Sequence, residues 1–439
     1  MQNPKSKIIT RFPPSPTGYF HIGSARTALF NYLFAAHAGG KMHLRFEDTD
    51  KERNKKEFEQ DILDGLTWLG IPYDAKAITK QSERTDVYRT CIQTLLKNGH
   101  AYEAEATTDN PDRKVIRFKN PNVRITFTDL IRGEVSFDTT DLKDFVIAKS
   151  VDDPLYHLAV VVDDHEMGVT HVIRGEDHIS NTPRQILILE ALGYSRPIYA
   201  HIPLILAPDR SKLSKRHGAV SVNEYRLQGF LPEAFVNYLA LLGWNPGTEQ
   251  EIFSFEELIK AFTIERVHKH GAVFDAEKLL WINHQHLRVL TDAEYSRRFE
   301  EFGGAKLDGL PVALVKERAR TFAEAVELIK NREFQFMSAD ISYDASLLVK
   351  GAKTDAETAK KHLLAVSGIL KELSAEDFSA EKVKDAIFPY ATKEGRGSVL
   401  WPLRVALSGR EKSPDPFIIA SLIGKERTLQ RIENAVGFL

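Results

Sequence analysis

The chain has 439 residues, a net charge of −2, 43% hydrophobic and 27% charged residues, and a single cysteine, Cys91. That length divides into roughly two to four domains. Lone Cys91 excludes a disulfide framework and a thiolate metal cluster, and no apolar run approaches the about eighteen residues that span a bilayer. The charge balance by itself argues mildly against a nucleic-acid partner.

Ile8 to Phe12 is a short β-branched run read as a buried strand, and Pro13 to Gly18 is a shaped loop. From Ser24 on, Ala28, Leu29, Tyr32, Leu33, Ala35 and Ala36 recur at helical spacing until Gly39-Gly40. Strand, turn and helix in this order open a nucleotide-binding α/β sheet whose helix N-terminus can face an anion. Met42 to Phe46 is the next strand and ends in Glu47-Asp48-Thr49-Asp50, the strand end where such sheets bind ligands. Helices follow over Glu57 to Gly70 and, capped by Ser82, up to Gly99; Cys91 lies on the apolar stripe of the second and reads as a core thiol. The N-terminus enters the first strand within a few residues, so no leader is expected and the expected location is cytoplasmic.

Between Tyr102 and Ser150, short strands at Val115 to Phe118, Arg124 to Phe127, Val135 to Phe137 and Phe145 to Ala148 form a small antiparallel insertion. Tyr156 to Val162 reads as a strand covered on both sides and ended by Asp163-Asp164. Val169 to Ile173 is another strand, Thr182 to Leu192 a helix with Pro183 in its first turn, and Ile198 to Leu206 leads to a Lys/Arg-rich loop. From Val222 the pattern is helical, with segments at Pro232 to Leu242, Phe255 to Phe262, Asp275 to His286, Asp292 to Phe302, Val315 to Ile329, Ala356 to Leu373, Ala380 to Ile387, Trp401 to Leu407 and Phe417 to Ile423.

Pro14-Ser15-Pro16-Thr17-Gly18 with His21-Ile22-Gly23-Ser24 resembles the first signature of the class I aminoacyl-tRNA synthetases, and Lys212-Leu213-Ser214-Lys215-Arg216 resembles the second. The surrounding residues are similar to the bacterial glutamyl branch, over nearly the whole chain. The resemblance implies an α/β Rossmann-like catalytic domain with a small antiparallel insertion, followed by an all-α anticodon-binding half. The implied segments are 1–101 and 151–221 for the catalytic domain, 102–150 for a shortened acceptor-end insertion, 222–320 for a stem-contact domain and 321–439 for the anticodon domain. It implies ATP-dependent ligation of L-glutamate to tRNA(Glu) by a monomer, with Mg²⁺, no membrane and no protein metal ligand. Many bacterial relatives hold zinc in the insertion; this chain lacks the cysteines, so no zinc is expected.

By the same resemblance, His21, Lys212 and Lys215 are the candidate catalytic residues. Gly23, Ser24, Asp177, Ser214 and Arg216 join them around ATP, with Gly23 letting the backbone approach the nucleotide. Arg11, Ser15, Glu47, Tyr156 and Arg174 are the candidate glutamate residues. Arg11 and Arg174 suit a fork onto the side-chain carboxylate, and Glu47 suits the substrate ammonium. Arg396, Trp401, Arg404 and Arg410 fall in the stretch similar to the anticodon region; helix packing is the plainer account of them. Charging of tRNA(Gln) as well, and a non-catalytic tRNA-binding paralogue, stand as alternatives.

Overall fold

The structure is a computed structural model that describes residues 7–50, 52–105, 114–213, 221–307, 310–331, 333–337, 341–352 and 354–439. The chain divides into two compact units, Met1–Val289 and Leu290–Leu439, the boundary falling inside the segment 222–320.

The first unit is built on parallel strands. β1 (Ile9–Phe12) leads through α1 (Ile22–His37) to β2 (Lys41–Phe46), which pairs in parallel with β1; α2 (Lys56–Trp68) then crosses to β3 (Thr79–Lys80) beside β2. α3 (Thr85–Lys97) is followed by β4 (Ala101–Glu105), β5 (Lys114–Phe118), β6 (Arg124–Asp129), β7 (Gly133–Asp138), β8 (Phe145–Ser150) and β9 (Asp153–Pro154). The insertion strands divide between two sheets. β4, β5, β8 and β9 make an antiparallel sheet of their own, whereas the β6–β7 hairpin joins β11 (Ile198–Ile202), itself parallel to β10 (His171–Gly175). Thr170 N–H donates to Ile9 O at 2.9 Å, which lays β10 beside β1.

Three predicted elements change type or start. Tyr156 to Val162 is not a strand but the start of α4 (Tyr156–Glu166), so Asp163-Asp164 lies within a helix. Leu158 to Val162 are all buried, and a run buried on every side shows neither a helical nor a strand period. α1 begins at Ile22, inside the first signature, with His21 as its N-cap. α3 starts at Thr85 after a 3₁₀ turn, and Ser82 does not cap it: the Ser82 hydroxyl and N–H donate to Asp48 instead. α5 (Thr182–Ala191) and β12 (Ile205–Leu206) lead to α6 (Val222–Leu227), α7 (Pro232–Leu241), α8 (Phe255–Ala261), β13 (Ala272–Val273) and α9 (Ala276–Val289). The β12–β13 pairing adds a short strand to the region expected to be wholly helical.

The second unit is helical: α10 (Asp292–Glu301), α11 (Val312–Arg318), α12 (Phe322–Lys330), α13 (Leu347–Lys350), α14 (Ala356–Glu372), α15 (Ala380–Glu394), α16 (Arg396–Ser408), α17 (Pro416–Ile423) and α18 (Lys425–Phe438). The predicted helix Val315 to Ile329 is two helices, because Thr321 caps a new one by accepting the Glu324 N–H. α15 runs on through Pro389 to Glu394, and α16 starts at Arg396, both longer than periodicity indicated. Among the described residues no helix is long and apolar enough to cross a membrane.

Candidate active site

A cavity of about 930 Å³ opens at the carboxyl ends of β1, β2 and β10. Arg11, Ser15, Glu47, Tyr156 and Arg174 all line it, and so do His21, Gly23, Ser24, Asp177 and Lys212. Ser214, Lys215 and Arg216 lie outside the described residues.

At one side of the cavity, His21 folds back over the first turn of α1. Its Nδ1 accepts the Ser24 N–H at 3.2 Å, which leaves the neutral ring's proton on Nε2, 3.0 Å from Ser24 Oγ. A Cβ at Gly23 would stand 3.1 Å from His21 Nδ1, so glycine here makes room for the imidazole. The surrounding protein, then the Lys212 charge, lowers the His21 pKa. Lys212 Nζ lies 4.0 Å from Asp177 Oδ2, both side chains about half exposed or more.

Deeper in, a charged network supports the floor. Arg45, fully buried, pairs with Asp164 at 2.7 Å, Glu47 at 3.1 Å and Asp163 at 3.7 Å. Arg11 donates from Nε to Asp164 and from Nη1 to Ile173 O. Asp163 accepts from Gln81, Arg84 and Tyr88. Burial opposes ionisation of Asp164, yet Arg11 and Arg45 together hold its pKa below the ordinary carboxylate range. Glu47 differs: burial outweighs Arg45 and raises its pKa. Asp163 and Asp164, successive on α4, share Arg45 and reach apart to Arg84 and Arg11 respectively.

Arg174 is 5% exposed, and its hydrogen bonds go to neutral groups: Gln185 Oε1 (2.8 Å), Thr182 Oγ1 (2.7 Å) and His201 Nε2 (3.3 Å). Burial depresses its pKa. A cation so placed, without a carboxylate at contact distance in those bonds, is compensated best by an anion entering the cavity. Sequence reading missed Arg45, Asp164, Gln185 and His201. The available signal was the pairing of arginines inside apolar strands with acids inside an apolar run, since buried charges require partners. Cys91 lies on the buried face of α3, its Sγ 3.5 Å from Tyr194 OH. In the helical unit, Trp401 donates its indole N–H to Leu347 O at 2.9 Å and packs against Gly351; the Arg396 guanidinium sits 4.5 Å over the Phe388 ring.

Residues 7–114 and 103–281 match a family described as tRNA synthetases class I (E and Q), catalytic domain, and residues 263–436 match an anticodon binding domain. A glutamate–tRNA ligase of Nitratidesulfovibrio vulgaris is 41% identical, over 98% of this chain and all of that protein. One of Aquifex aeolicus is 40% identical over 97% of this chain and 98% of its own length. The crystal structure of a glutamate tRNA ligase from Elizabethkingia meningosepticum, in complex with its amino acid, superposes with a TM-score of 0.80 at 33% identity, covering 98% of this chain and 99% of that one.

Proposed function

The chain belongs to the class I tRNA synthetases of the glutamate and glutamine type, and from that membership we propose that it ligates L-glutamate to tRNA(Glu) at the expense of ATP. The glutamate α-carboxylate attacks the α-phosphate of ATP, the bond to the β-phosphate breaks, and diphosphate leaves. A hydroxyl of the tRNA 3′ end then attacks the glutamyl carbonyl and AMP leaves. Neither step needs a protein nucleophile; both need positioned charge and hydrogen-bond donors.

Arg174 binds the substrate's side-chain carboxylate, and its buried, neutral-partnered guanidinium is the observation that carries the choice of glutamate. Glutamine offers no charge to compensate it, so the amide is rejected without an editing site. Arg11 is committed through Nε to Asp164, so it contributes field and shape more than a second full fork. Glu47 and Tyr156 hold the ammonium end. His21 with the first turn of α1, and Lys212 with Lys215 and Arg216, take the phosphates. Mg²⁺ arrives with ATP as part of the substrate. The helical unit, matched by the anticodon domain, reads tRNA, and the cytoplasm is the expected compartment.

The test is charging of tRNA(Glu) and tRNA(Gln) transcripts with radiolabelled glutamate, ATP and Mg²⁺. Charging of tRNA(Glu) alone marks a discriminating ligase, and charging of both a relaxed one. Charging of neither, with other amino acids also inactive, sinks the ligase reading in favour of a non-catalytic tRNA-binding protein.

A further inference from the structure

One of the neutral groups on Arg174 is itself held by an acid. His201 is fully buried, and its Nε2 faces Arg174 Nε at 3.3 Å and Thr182 Oγ1 at 3.1 Å. Its Nδ1 lies 2.6 Å from Asp129 Oδ2, at the end of β6. Asp129 is 1% exposed and is fixed in turn by the N–H groups of Ile131, Arg132 and His201. An imidazole that accepts from Arg174 on Nε2 must carry its proton on Nδ1, and Asp129 receives it there.

We propose that His201 is a positioning residue for side-chain selection: locked by Asp129 as the Nδ1–H tautomer, it presents a lone pair to Arg174 Nε and, together with Gln185 on Nη1 and Thr182 on Nη2, fixes the guanidinium so that the second N–H of each Nη is left for the substrate carboxylate. The inference rests on the glutamate reading above. The charged and titratable groups around the ring are Asp129, Arg174, Arg132, His178 and Tyr199, the last stacked on it. Burial, with Arg174 and Arg132, outweighs Asp129 and lowers the His201 pKa, so the ring stays neutral near pH 7. Protonation would set an N–H against the Arg174 N–H and withdraw the acceptor.

Two substitutions separate positioning from structural filling. In His201→Asn the shorter amide reaches the Nδ1 position and keeps the link to Asp129, but leaves Arg174 Nε without an acceptor. In His201→Gln the amide oxygen reaches the Nε2 position and keeps that acceptor. We expect His201→Asn to raise the KM for glutamate about ten- to a hundredfold, the scale of one lost hydrogen bond to a charged group, with the KM for ATP unchanged. His201→Gln is expected to rescue it to within about fivefold and, lacking a titrating ring, to show a smaller rise in KM at acid pH than wild type. A thermal shift on adding glutamate, kept by His201→Gln and lost by His201→Asn, reads the same effect without catalysis. A wild-type KM in His201→Asn, or equal losses in both variants, overturns the inference. A wild-type protein that shows the glutamate shift but charges no tRNA fails the ligase reading alone; one that shows neither fails both.

Discussion

Arg11 Nε and Asp164 Oδ1 lie 3.2 Å apart although 153 residues separate them, and Asp164 simultaneously pairs with Arg45 at 2.7 Å. The acid therefore neutralises two buried guanidinium groups. Asp164→Ala leaves Arg11 with only the Ile173 carbonyl and Arg45 with Glu47 and Asp163, and breaking a buried pair costs about 3–5 kcal/mol. Chemical unfolding monitored by circular dichroism should show that loss, and a variant within about 0.5 kcal/mol of wild type contradicts the arrangement.

His157 and His178 each have a pKa depressed to about 4, chiefly by burial. Unfolded histidine titrates near 6.5. A depressed folded-state value gives stability that is full above the unfolded pKa and is lost as pH falls towards the folded one. The melting temperature should accordingly decline from about pH 6.5 towards pH 4. His157→Gln removes one titrating group and should flatten that decline; an unchanged slope contradicts it.

Arg174→Gln removes the buried cation and keeps hydrogen-bonding capacity. The kcat/KM for glutamate should fall by at least about a hundredfold, since a charged partner is lost, while discrimination against glutamine narrows. In wild type, saturating glutamate should raise the melting temperature more than equal glutamine; a hundredfold excess over Kd corresponds to about 2.7 kcal/mol. Equal shifts would remove Arg174 from side-chain selection.

Lys212 lowers the His21 pKa through its charge. Lys212→Gln should raise that pKa towards the ordinary histidine value, visible by NMR titration of the ring. Aminoacylation should slow in kcat with little change in the KM for glutamate if, as proposed, the lost charge acts on phosphate. An unmoved His21 titration would separate the two residues.

A Cβ on Gly351 would fall 2.3 Å from the Trp401 ring. Gly351→Ala should destabilise the helical unit by about 1–3 kcal/mol through overpacking. Thermal unfolding reads this directly, and a neutral result would mean the indole has room to move.

The first strand, its loop and the signature at His21 to Ser24 were legible because strand, turn and helix follow one another locally, and the helices with an open polar face were legible by period. The parallel sheet followed from alternation of such elements. Helix α4 was not legible, because Leu158 to Val162 are apolar on every side and periodicity then carries no information. The break at Thr321 lay in a capping bond that outweighs a continuous apolar spacing.

For the site, the sequence by itself determined which residue types are brought to the ligand: a histidine at a helix start, cations in a loop, and acids and arginines at strand ends. Only the tertiary structure decided how those charges are shared. Arg11 is committed to Asp164, Glu47 to Arg45, and Arg174 to neutral partners backed by His201 and Asp129. A buried charge takes its function from whether a counter-charge lies within a few ångströms, and here Asp164 reaches Arg11 across 153 residues and Asp129 reaches His201 across 72.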